Sequence, residues 1–118
     1  MSEDQELIIL KNLHKIFLEE KPYLDNTLSL PKLAGRLKIS THHLSQIIND
    51  KLDQSFFELI AFWRVREAQE MLGKAENQHL KIEEIAEKVG YNSKSAFNTA
   101  FKKHTQMTPA AYRKQFEG

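Results

Sequence analysis

The sequence predicts an all-α protein of seven helices, arranged as two helix-turn-helix units joined by a long linker helix. Three observations carry that prediction. Glycine (4) and proline (3) are scarce while Ala, Leu, Glu, Lys and Gln abound, a composition that favours helices with short connections. Successive apolar-striped segments are opened or closed by cap signals. A helix-pair pattern also occurs twice along the 118 residues.

The first segment, Glu3 to about Lys21, places Leu7, Leu10, Leu13 or His14 and Phe17 at helical spacing, widened by Ile9 and Ile16. It should stop before Pro22, because a residue preceding proline avoids the α region. Ser29 is the expected N-cap of a short second helix with Leu30, Leu33, Ala34 and Leu37 on one face, ending near Lys38. Ser40 caps a third that turns Leu44, Ile47 and Ile48 inward, with Asp50 to Gln54 as its exit.

Ser55-Phe56-Phe57-Glu58 fits a capping box and opens the linker helix, which runs to about Leu72 with Gly73 as a left-handed stop. On a helical wheel Phe56, Leu59, Ile60 and Trp63 cluster in one direction, and Val65, Ala68, Met71 and Leu72 about a third of a turn away. Each half should therefore face a different lobe, along a strut of about 27 Å. After a polar loop from Lys74 to His79, Ile82, Ile85, Ala86 and Val89 mark a fifth helix stopped by Gly90. Ser93 caps a sixth carrying Phe97, Ala100 and Phe101, and Thr108-Pro109 starts a seventh whose apolar contacts are Tyr112 and Phe116. The expected organisation is an N-terminal helix and connection (1–25), a first unit (26–54), the linker (55–73) and a second unit with the C-terminal helix (74–118).

The repeat appears when the sequence is slid by 52 positions, which lays Leu30, Leu33, Ala34, Leu37 and Ile39 over Ile82, Ile85, Ala86, Val89 and Tyr91. Beyond the turn the offset becomes 53, pairing Leu44, Ile47 and Ile48 with Phe97, Ala100 and Phe101. The small residue in each first helix lets the second cross closely and face outward, an arrangement whose second helix enters a DNA major groove about 12 Å wide. The same pattern also suits a helical protein-interaction or dimerisation module. In that alternative the acidic first helix, apolar at every position from Leu7 to Leu10, meets another chain or domain.

Composition narrows the chemistry further. With no cysteine, disulfide scaffolds, thiolate zinc sites and cysteine nucleophiles are excluded. No stretch approaches the roughly 20 apolar residues of a membrane span, so a cytoplasmic location is expected, either free or at the end of a membrane-anchored protein. His42 and His43 are adjacent and diverge by about 100° on a helix, so they do not share a metal as an i, i+4 pair does. Glu83, Glu84 and Glu87 near a helix start suit capping better than acid/base work. No glycine-rich phosphate loop or nucleophile motif is present. No catalysis, metal or cofactor is expected.

The net charge of +1 is unevenly distributed, with 6 acids against 3 bases in residues 1–30 and 14 bases against 10 acids in residues 31–118. From 88 onward Lys88, Lys94, Lys102, Lys103, Arg113 and Lys114 face Glu117 alone. Such a local excess suits a polyanion.

Five blocks together resemble the AraC/XylS family of bacterial transcription regulators: Leu30-x-x-Leu33-Ala34, Arg64-x-x-x-Ala68, Ile82-x-x-Ile85-Ala86-x-x-Val89-Gly90-Tyr91, Phe97-x-x-x-Phe101-Lys102-Lys103 and Thr108-Pro109-x-x-Tyr112-Arg113. The resemblance spans about Leu28 to Lys114. It implies sequence-specific binding of double-stranded DNA through two major-groove helices, as the output domain of a larger regulator or as a small stand-alone one. RNA polymerase is then a second partner, a dimer forms through the N-terminal helix or a further domain, and the effector binds elsewhere. Base readout falls to Thr41, His42, Ser45, Gln46 and Asn49 on the third helix, and to Lys94, Ser95, Asn98 and Thr99 on the sixth. Amide side chains pair with adenine, and hydroxyls reach bases or phosphates. Phosphate contacts fall to Lys102, Lys103 and Arg113 and to the helix entries at Ser40 and Ser93. The family often has arginine where this chain has Thr99, and glycine where it has Gln106.

Overall fold

The computed structural model describes residues 1–117, so Gly118, the last residue of the expected second unit, lies outside the described residues. Seven α-helices follow in order: α1 (Glu3–Glu20), α2 (Leu30–Leu37), α3 (Thr41–Leu52), α4 (Phe56–Gly73), α5 (Ile82–Lys88), α6 (Lys94–Thr105) and α7 (Pro109–Lys114). Two single 3₁₀ turns, Pro22–Leu24 and Ala75–Asn77, lie in the connections, and no strand occurs among the described residues.

The expected caps form. Ser29, Ser40, Ser93 and Thr108 each accept a hydrogen bond from a backbone N–H in the first turn of their helix, satisfying an otherwise orphaned donor. Ser55 and Glu58 make the reciprocal pair of a capping box, at 3.0 and 3.1 Å. At α5 the Glu84 carboxylate accepts from the Lys81 N–H at 3.2 Å, the capping role expected of that acidic turn.

Two compact units emerge. The first comprises Met1–Tyr23 and Thr27–Ile60, and the second Leu24–Asn26 together with the chain from Ala61 onward. In the first, Ile9, Leu13, Phe17, Leu33, Leu44, Ile47 and Ile48 are buried along with Leu59 and Ile60 from α4. In the second, Val65, Ala68 and Leu72 of α4 pack with Ile85, Ala86, Val89, Phe97 and Phe101. The two apolar directions on α4 thus serve two cores. Among the described residues no helix is long and apolar enough to cross a membrane.

Three local expectations are corrected. The buried stripe of α1 is Ile9, Leu13 and Phe17, while Leu7 and Ile8 are 51% and 58% exposed; with four apolar residues in succession, packing on α2 selects which face is buried. α3 continues past Asp50 to Leu52, closing on Asp53 at φ 54°. Gly73 is not a left-handed stop but the last residue of α4. Its helix end is closed by side chains instead, with Asn77 Nδ2 donating to Met71 O at 3.1 Å and Gln78 Nε2 to Leu72 O at 2.9 Å. The space above Gly73 is taken by Phe116, whose ring carbons lie 3.4 Å from where a Cβ would stand. Phe116 itself falls beyond the end of α7 and is 47% exposed.

Candidate nucleic-acid interface

Each unit contains the same turn. In the first, the N–H of Ile39 donates to Ala34 O at 3.1 Å and that of Lys38 to Gly35 O at 3.2 Å; in the second, Tyr91 donates to Ala86 O at 2.9 Å and Gly90 to Glu87 O at 3.1 Å. The six-residue bond closing a left-handed C-terminus therefore recurs at the sequence offset of 52. Ala34 and Ala86, both 1% exposed, lie in the crowded first helices where a larger side chain would hold the second helix away.

The turn leads into a helix with one face buried and the other open. On α3, Leu44, Ile47 and Ile48 are buried, while Thr41, His42, Gln46 and Asn49 are exposed and Ser45 half-buried. On α6, Phe97 and Phe101 are buried, while Lys94, Ser95 and Thr99 are exposed and Asn98 half-buried. Within each unit the expected reading residues thus share one polar helix face. Thr99 differs from the others in that its hydroxyl donates to Ser95 O within the helix at 3.0 Å, leaving its methyl and an acceptor for a partner.

Lys102 and Lys103 are exposed in the last turn of α6. There they complement the helix dipole as well as offering charge outward. The Ser40 and Ser93 hydroxyls accept from the N–H groups of His43 and Ala96, which leaves each O–H as well as the helix-entry N–H groups able to donate.

Arg113, expected at a phosphate, also has a task within its own unit. Its guanidinium turns inward, donating to Leu80 O at 2.6 Å and Asn77 O at 3.4 Å, and so ties α7 to the loop before α5.

The geometry also joins residues that sequence reasoning named only separately or not at all. The guanidinium of Arg64 stacks 5.2 Å from the centre of the Tyr91 ring, and its Nη2 donates to Asp25 O at 3.2 Å. Burial pulls the Arg64 guanidinium below its usual range, opposed by Tyr91 and Asp25, and pushes the Tyr91 phenol up, opposed by Arg64. Beside it, Asn26 Nδ2 donates to Asn92 Oδ1 at 2.6 Å. The sequence marked Arg64 and Tyr91 as members of two separate resemblance blocks, and gave no sign that they meet.

From Tyr91 an aromatic series continues through Phe97, Phe101 and Tyr112 to Phe116, with ring centres 5.7, 5.6, 5.5 and 5.3 Å apart. Offset and edge contacts of this kind add about 0.5–1.5 kcal/mol per pair beyond area burial. They fix α6 between the turn and α7.

A family model described as a helix-turn-helix domain matches residues 33–115. Among curated proteins, the chain is 31% identical over 91 residues to the uncharacterized HTH-type transcriptional regulator YtdP of Bacillus subtilis, covering 77% of this chain and 11% of that protein. It is 30% identical over 92 residues to the Msm operon regulatory protein of Streptococcus mutans, covering 78% of this chain and 32% of that one. The chain therefore spans a third or less of the length of these relatives. Among solved structures, the C-terminal domain of AraT, a response regulator from Geobacillus stearothermophilus, superposes with a TM-score of 0.77 at 34% identity, over 91% of this chain and 84% of that domain.

Proposed function

The chain belongs to the AraC-type helix-turn-helix family, and from that premise we propose that it binds double-stranded DNA in sequence-specific fashion to regulate bacterial transcription. The observation that carries this reading is the twofold use of one device: a tight left-handed turn delivering a serine-capped helix whose apolar side is buried and whose outer side is polar. A helix of that kind fits the major groove, where amide and hydroxyl side chains meet base edges.

In this reading Thr41, His42, Ser45, Gln46 and Asn49 of α3, and Lys94, Ser95, Asn98 and Thr99 of α6, read bases in successive groove segments. Lys102 and Lys103 neutralise phosphates, and the N–H groups entering at Ser40 and Ser93 face phosphate oxygens. The domain acts as the output end of a larger regulator, with the effector bound elsewhere, RNA polymerase as a further partner and the cytoplasm as its compartment. Its own chemistry is binding rather than catalysis.

Selection of bound sequences from random duplex DNA tests the reading. Two short enriched blocks about 10 base pairs apart support readout by both units, and no enrichment refutes it. The phosphate assignment is tested separately by salt titration. Replacing Lys102 or Lys103 with alanine should reduce the log–log salt slope by about 0.9 each, and an unchanged slope removes that residue from the set.

A second reading rests on α1, where Leu7, Ile8 and Leu18 are 51%, 58% and 52% exposed. The adjacent pair Leu7 and Ile8 offers apolar surface for a protein contact. We propose that α1 pairs with a second copy of the chain. Sedimentation should show a dimer that Ile8→Glu dissociates, and a monomer at all concentrations rejects the pairing.

A further inference from the structure

The segment Leu24–Asn26 follows α1 in the chain yet belongs to the second unit. Three fastenings hold it there. Leu24 packs against the second core, Asp25 O accepts from Arg64 at 3.2 Å, and Asn26 Nδ2 donates to Asn92 Oδ1 at 2.6 Å across 66 residues of sequence. Arg64 supports both sides of the amide pair, since it holds the backbone beside Asn26 and stacks on Tyr91, the neighbour of Asn92. Asn92 is the residue by which the second turn exceeds the first, where Ile39 leads directly to the cap Ser40. An added residue loosens a turn unless something holds it, and here it directly precedes Ser93, the cap of α6.

We propose that Asn26 is a positioning residue for the second reading helix: it grips the extra turn residue and so fixes where α6 begins. The proposal rests on the DNA-binding reading for its consequence, while its structural content stands apart from DNA. Asn26 touches no base in this scheme and acts through Asn92 on Lys94, Ser95 and Asn98.

Hydrogen exchange on the free protein provides the first readout. Asn26→Ala should raise exchange about fivefold, the effect of one lost side-chain hydrogen bond, at Ala96 and Phe97, whose N–H groups bond to Ser93. Exchange at His43 and Leu44, which bond to Ser40 in the first unit, should stay unchanged. The variant N26D should restore the slow rate, because the Asn92 amide can rotate to donate to the new carboxylate. The second readout is DNA selection, in which Asn26→Ala should relax base preference in one enriched block and Gln46→Ala in the other. Unaltered exchange at Ala96 and Phe97 overturns the positioning role, as does equal acceleration in both units. Absence of enrichment with the unsubstituted protein overturns the DNA reading alone, and exchange still decides the role of Asn26.

Discussion

At the turn between α2 and α3 the left-handed position is Lys38, with φ 60°, whereas at the matching point between α5 and α6 it is Gly90, with φ 101°. The first angle lies in the small left-handed basin that L-residues can enter, and the second lies outside it. The difference traces to the helix before each turn. α2 stays helical to Leu37, but α5 ends at Lys88 and Val89 takes φ −97° and ψ 10° before the chain reverses. The second turn is also one residue longer. Two turns that share their closing hydrogen bonds therefore place unequal demands on the residue at the bend, and only one of them requires glycine.

The cores beneath the turns differ as well. Leu44, Ile47 and Ile48 in the first unit correspond to Phe97, Ala100 and Phe101 in the second, so aliphatic packing is replaced by two rings and a small residue. The largest expected effect tests that difference. Phe97→Ala removes the second member of the aromatic series and should cost about 3–5 kcal/mol, while Leu44→Ala should cost about 2–5 kcal/mol. Denaturant titration combined with residue-level exchange should show each substitution lowering protection in its own unit first. Equal loss in both units after either change would show that the cores unfold as one.

The next effect falls on the bend itself. Gly90→Ala places a Cβ at φ 101° and should destabilise by about 2 kcal/mol, whereas Lys38→Ala exchanges one L-residue for another at a permitted angle and should change stability by less than about 0.5 kcal/mol. Denaturation midpoints of the two variants measure the contrast. Comparable losses at the two sites would refute the idea that the extra residue makes the second turn the more demanding.

What could be read from the sequence follows the same division. The stop at Gly90, the caps at Ser29, Ser40, Ser55, Ser93 and Thr108, and the two apolar directions on α4 were legible because local chemistry alone decides them. The ends of α1 and α2 fall where Pro22 and the polar stretch at Lys38 placed them, but the end of α3 was set too early, since Asp53 occupies the left-handed region without the glycine that signals it. The buried face of α1 was misread at Leu7 because four consecutive apolar residues leave orientation to the partner surface. Arg113 carries a family position, but its direction is set by carbonyls of a loop more than thirty residues earlier in the chain. The pairing of Asn26 with Asn92 had no local signal, because it exists only once residues 24–26 pack with the second unit.

The smallest expected effect concerns the non-glycine bends and separates two of them. Lys38→Gly relieves a left-handed strain of about 1–2 kcal/mol but gives the unfolded chain back about 0.4–1 kcal/mol of conformational freedom, for a net gain near 0.5 kcal/mol. Gln106, at φ 67°, bears the same strain. It differs in that its side chain closes its own helix, with Nε2 donating to Lys103 O at 3.1 Å while its N–H bonds to Lys102 O at 2.8 Å. Gln106→Gly loses the first of those bonds, worth about 0.5–1.5 kcal/mol, and should leave stability unchanged or slightly lower. A rise in the denaturation midpoint for Lys38→Gly without one for Gln106→Gly would show that the amide at 106 substitutes for a glycine by bonding to its own helix. Equal rises would show that the bond contributes nothing and that both bends carry the same strain.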